Sequence, residues 1–130
     1  MASTAGGAFG FASGLIIQEF GYDDDVDETL RQAVEAETGT TLVDEDYEDV
    51  ADSAIVWWRD EDGDVDDLTD LLVDAQANLD GAGLIWVLTP KARTTGAVPA
   101  AEVEEAAQTA GMHATSAASM GQHWSGIRVS

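Results

Sequence analysis

A chain of 130 residues is the length of one domain, enough to bury roughly two thirds of its unfolded surface, and its 45% hydrophobic content is that of a folded protein. It has no cysteine, which excludes disulfide frameworks, thiolate metal sites and thiol catalysis. Five Lys and Arg against 26 Asp and Glu leave a net charge of −21; this repels phosphate backbones and anionic bilayers, so no direct nucleic-acid binding and no membrane binding is expected.

The first residues carry no basic n-region, and no apolar run approaches the ~18 residues of a membrane span, so a cytoplasmic protein is expected. Met1 to Ser13 is rich in Ala, Gly, Ser and Thr without a period and reads as a flexible leader, with Phe9 and Phe11 free to pack back onto the domain. Residues 14–130 read as a single α/β domain. Leu15-Ile-Ile-Gln-Glu-Phe20 is the first strand, closed by Gly21. Val26 to Glu37 follows as a helix with Val26, Leu30, Ala33 and Val34 on one face, Asp25 and Glu28 forming its capping box and Gly39 ending it.

Thr41-Leu-Val43 is a short strand leading into the acidic run Asp44-Glu-Asp-Tyr-Glu-Asp49, and Ser53 to Trp58 is the next strand. An acidic turn, Arg59 to Asp64, opens a second helix, Val65 to Leu79, whose Leu68, Leu71, Leu72, Ala75 and Leu79 share a face. The run Leu84 to Leu88 is the organising strand. It is too short for a helix, unbroken in its apolar character and stopped at Pro90, which predicts burial on both faces under covering helices. Pro99 opens a third helix that runs to Gly111, and Thr115–Ser119 with Ile127–Val129 predict a terminal antiparallel hairpin at one sheet edge. The fold predicted is a mostly parallel, Rossmann-like sheet flanked by helices.

Ligands of parallel sheets bind outside the carboxyl ends of the strands. Those ends bring together Glu19 to Asp25, Asp44 to Asp46, Arg59 to Asp64 and Thr89 to Arg93. Two chemistries are open at this edge. Asp23, Asp25, Asp60 and Asp62 would hold a divalent cation through carboxylate oxygens, or simply cap helices and fill turns. Lys91 and Arg93, conspicuous where cations are scarce, would hold an anionic ligand or neutralise neighbouring aspartates. His123-Trp-Ser-Gly126 offers a serine near a histidine, but adjacent residues of an extended chain point to opposite faces and no nucleophile elbow surrounds it.

Six blocks carry a resemblance: Tyr22-Asp-Asp-Asp-Val26, Val43-Asp-Glu-Asp-Tyr47, Trp58-Arg-Asp-Glu-Asp-Gly63, Ile85-Trp-Val-Leu-Thr-Pro-Lys91, Ala106-Ala-Gln-Thr-Ala-Gly111 and Trp124-Ser-Gly-Ile-Arg128. Together they resemble an uncharacterised actinobacterial family of short proteins, domain-of-unknown-function family 3052. The order of elements is also similar to the Rossmann-like class I methyltransferases. That second likeness implies S-adenosylmethionine over the first strand ends, with Glu19 and Gly21 at its amino-acid part, Asp44 on its ribose, and Trp58 or Trp86 near its adenine. Where those enzymes have a Gly-x-Gly turn, this chain reads Glu19-Phe-Gly21-Tyr-Asp-Asp-Asp25, with bulky rings and three aspartates in place of close backbone approach. The leading expectation is therefore a non-enzymatic regulatory or adaptor domain whose acidic surface meets a basic protein partner, with a degenerate S-adenosylmethionine- or nucleotide-binding, methyltransferase-like protein as the alternative. Oligomeric state is left open.

Overall fold

The computed structural model describes residues 9–81 and 83–130. Five strands form one sheet: β1 (Ile17–Phe20), β2 (Ser53–Trp57), β3 (Ile85–Pro90), β4 (Ala114–Met120) and β5 (Trp124–Val129), in the spatial order β1-β2-β3-β5-β4. The organising strand is central, with β2 parallel on one side and β5 antiparallel on the other. The sheet is thus mixed. Its first three strands are parallel because helices return the chain between them, and its last two are antiparallel because a tight turn joins them.

Three helices cover the two faces: α1 (Glu28–Thr38), α2 (Val65–Ala77) and α3 (Ala100–Thr109). Alternation along the strands sorts the core into two layers. Val56, Trp58, Ile85, Val87 and Ile127 meet Leu68 and Leu72 of α2 and Val103 and Ala106 of α3. Ile17, Ile55, Trp57, Trp86 and Leu88 meet Leu30 and Val34 of α1, joined by Phe9 and Phe11. Residues 1–8 of the expected leader lie outside the described residues; Phe9 and Phe11 stack on each other and Phe9 meets the edge of Trp86.

Helix ends follow their caps. Asp64 caps α2 and Asp67 closes the reciprocal capping box. At α1 the expected cap is corrected: Asp27, not Asp25, accepts from the Thr29 and Leu30 N–H groups, which frees Asp25 for another partner. The short strand expected at Thr41–Val43 is a single bridge from Val43 to Gln18, with Glu19 N–H donating to Val43 O at 2.8 Å and Val43 N–H to Ile17 O at 3.1 Å. Gln18 and Asn78 amides then hold the Asp44–Asp49 carbonyls, so this segment lies along the β1 edge.

Candidate functional site

The carboxyl ends of β1 and β2 are joined by two ion-pair networks, each centred on an arginine. Glu19, at the end of β1 on the α1 face, is only 5% exposed. Its carboxylate accepts from Arg31 Nε at 2.8 Å, Arg31 Nη2 at 2.9 Å and the indole N–H of Trp57 at 2.8 Å. A carboxylate buried this deeply requires such partners. The Glu19 hydrogen bonds, opposed by partial burial and helped by Glu28, hold the Arg31 guanidinium above its ordinary pKa, and Arg31 in turn lies over the Tyr22 ring, 4.8 Å from its centre.

The second network starts where β2 ends. The Arg59 side chain is 7% exposed and its Nε donates to Asp25 Oδ2 at 2.9 Å, with Nη2 closing a bidentate pair to Asp25 Oδ1. Its Nη1 reaches the Gly21 carbonyl at 2.7 Å and the Trp57 carbonyl at 3.2 Å. Asp62, in the 3-10 turn Asp60–Asp62, accepts from the Arg59 backbone N–H at 2.9 Å. The Arg59 hydrogen bond, working against burial, holds the Asp25 carboxyl below the usual carboxylate range. The guanidinium also stands 5.5 Å from the Trp124 ring centre, and Trp124 packs edge-on against Trp57. Gly21 has φ +77°, and a Cβ built there would overlap the Trp57 carbonyl oxygen, so only glycine lets β1 and β2 close this tightly.

The expected site residues therefore separate. Glu19 pairs with Arg31 and the Gly21 carbonyl with Arg59, and of the expected residues Glu19 and Asp44 line one cleft. Asp44 lies beyond the Val43 bridge, its Oδ1 accepting from the Asp46 N–H at 3.0 Å, and it lines a cleft of about 260 Å³ with Glu19, Tyr22, Arg31 and Glu45. Trp58 and Trp86 are buried on opposite faces of the sheet, and the Trp86 indole N–H donates to Phe9 O at 2.9 Å; neither lines that cleft. Asp25 and Asp62 converge on Arg59, while Asp23 accepts from Asp24 N–H and Asp60 N–H donates to Gly96 O. Among the described residues, no group of three or more His, Asp or Glu side chains is placed to hold a metal ion. Lys91 and Arg93 do not act as a pair. Lys91 Nζ donates to Gly121 O at 3.0 Å across to the β4–β5 turn, and Arg93 sits on the exposed loop with φ +69°.

Sequence reasoning passed over Arg31, Arg59 and Trp57, the residues that organise this edge. The signal was present: Arg31 and Arg59 are the only cations before Lys91 in a chain crowded with carboxylates. Which acids they choose is a matter of tertiary approach.

A model of the family described as "Protein of unknown function (DUF3052)" matches residues 6–130. The chain belongs to that family. It is 46% identical over 114 residues to the uncharacterized protein Rv2239c of Mycobacterium tuberculosis (strain ATCC 25618 / H37Rv), covering 88% of this chain and 70% of the relative. The uncharacterized protein Mb2263c of Mycobacterium bovis matches equally. The fold of this DUF3052 member is similar to solved methyltransferases. Mitomycin 7-O-methyltransferase MmcR superposes with a TM-score of 0.66 at 13% identity over 96% of this chain, which spans about half, 52%, of that enzyme. The precorrin-6y C5,15-methyltransferase of Geobacter metallireducens GS-15 superposes with a TM-score of 0.62 at 10% identity, over 97% of this chain and 84% of that one. At these identities the likeness is one of fold.

Proposed function

We propose that this DUF3052 member is a non-enzymatic domain of methyltransferase-like fold that works through protein contacts, its acidic surface receiving a basic partner. One observation carries the reading. The strand-end edge, where a Rossmann-like sheet receives its ligand, is filled by the chain's own side chains: Arg59 on Asp25 and the Gly21 carbonyl, Arg31 and Trp57 on Glu19. A ligand's ammonium or carboxylate would have to displace charge-assisted hydrogen bonds that are already paired, with Glu19 and Arg59 themselves buried. The cleft beside Asp44, about 260 Å³, is smaller than the roughly 300 Å³ at which small-molecule sites begin; a larger one of about 460 Å³ opens beside Asp25, and its lining of Asp25, Asp27 and Glu28 with His123 and Trp124 suits a basic group.

A second reading, an S-adenosylmethionine-binding protein, is favoured by the position of Asp44, which follows the bridge beside β1 and lines the smaller cleft. Thermal unfolding with and without S-adenosylmethionine separates the two. The first reading expects no change in midpoint. Ligand at about a hundred times its dissociation constant adds roughly 2.7 kcal/mol, a rise of several degrees in a domain this size; such a rise, lost in Asp44→Ala, would replace the first reading by the second.

A further inference from the structure

The charge of this chain is unevenly placed. Residues 91–130 hold Lys91, Arg93 and Arg128 against Glu102, Glu104 and Glu105 and are neutral as a unit; residues 1–90 carry the whole net charge of −21. The neutral part includes β4, an outer strand of the sheet. Its sequence, Ala-Thr-Ser-Ala-Ala-Ser-Met, contains no charge and no proline, and every residue from Ala114 to Ser119 is exposed. Edge strands are usually blunted by charges, by proline or by a covering segment, because their unpaired N–H and C=O groups are templates for another strand. The β1 edge has such a cover, the Val43 segment. Among the described residues, the blunting feature on β4 is a register shift at its start, between Ala114 and Ser116.

Hydrogen bonds fix which backbone groups are free. His113 and Ser130 exchange both N–H···O bonds, at 2.8 and 3.0 Å, and His123 O accepts from Lys91 N–H on the β3 side. Alternation along β5 therefore directs Trp124, Gly126 and Arg128 toward β4, where they face Met120, Ala118 and Ser116. Ala117 and Ser119 direct their N–H and C=O groups outward.

We infer that β4 is the pairing edge for a second copy of this chain, joining two sheets into one continuous antiparallel sheet across a two-fold axis at Ala118. Ala117 of each copy then faces Ser119 of the other through reciprocal N–H···O bonds, and the two Ala118 residues stand opposite each other. Charge selects this occupant. Two chains of −21 repel wherever their acidic parts approach; β4 itself carries no charge, with Glu104 of α3 lining the groove beside it, and its exposed edge offers a second copy a self-complementary surface. A basic partner is drawn instead to the acid-rich part of the chain. This inference stands independently of whether the strand-end edge takes a ligand.

Sedimentation equilibrium of the full chain tests it. The expected mass is twice the 13.7 kDa of one chain, with association strengthened by salt as screening shortens the Debye length below the ~10 Å of 0.1 M solution. Ala118→Glu sets two carboxylates opposite each other and is expected to weaken dimerisation about tenfold or more, with the unfolding midpoint of the monomer unchanged. Ala117→Pro removes an outward donor without touching the ladder to β5, and is expected to act in the same direction. A monomer at every salt concentration would overturn the inference, as would a dimer that both variants leave intact.

Discussion

The two ends of the sheet handle an edge in opposite ways. At β1, a strand of four residues, the chain adds the Val43 bridge, the Gln18 and Asn78 amides and two arginine-centred networks, so that the Glu19 and Asp25 carboxylates and the Gly21 and Tyr47 carbonyls have partners inside the protein. At β4, a strand of seven residues, the outward backbone faces solvent and the side chains are small and uncharged. The contrast shows where the acidic residues do structural work and where they are absent. Carboxylates at the β1 end are drawn into the fold by two scarce cations; the β4 strand itself carries none.

Breaking the β1 end has the largest expected effect. Gly21→Ala, forced into a left-handed backbone and against the Trp57 carbonyl, is expected to cost about 4 kcal/mol, read as a lower denaturation midpoint in urea. Arg59→Met leaves the Gly21 and Trp57 carbonyls without their donor and Asp25 unpaired, and should cost about 3 kcal/mol. Glu19→Gln keeps the shape but leaves the Arg31 guanidinium without its buried counter-charge; about 2 kcal/mol is expected. Changes at the β4 end, Ala118→Glu among them, should leave monomer stability within about 0.5 kcal/mol, because exposed substitutions remove no packing. Equal costs at both ends would erase the contrast.

Acid titration sharpens the same comparison. The Asp25 carboxyl is held below its unfolded value of about 3.9, so its contribution to stability is full above that value and is lost as pH falls through the lower folded pKa. Asp25→Asn is therefore expected to be less stable than the native chain at pH 7, with the gap narrowing on acidification below about pH 4. A gap that persists unchanged in strong acid would mean that Asp25 acts through shape and not through its charge.

How much of this was legible beforehand differs between elements. The central strand, the three helices and the terminal hairpin follow from period, from Pro90 and Pro99 and from the Gly-bounded turns, because apolar spacing dictates which face must be buried. The short strand at Thr41–Val43 was less legible, since one bridging residue leaves almost no periodic signal. The site was least legible. Asp25 reads as a cap by position and is an arginine partner in space, since Asp27 stands closer to the first free N–H groups of α1. Trp58 and Trp86, each expected near an adenine, pack on opposite faces, because the β2–β3 register sets Trp86 beside Ile55.

By itself, the sequence determined the three helices, the strands of the sheet apart from the single bridge at Val43, the covering of the sheet by helices and the shortage of cations, since each follows from local spacing or from composition. Only the tertiary structure decided that Arg31 takes Glu19 and Arg59 takes Asp25. Those partners lie 12 and 34 residues apart, and no local pattern distinguishes one aspartate in an acidic run from the next; approach of the folded strand ends makes the choice.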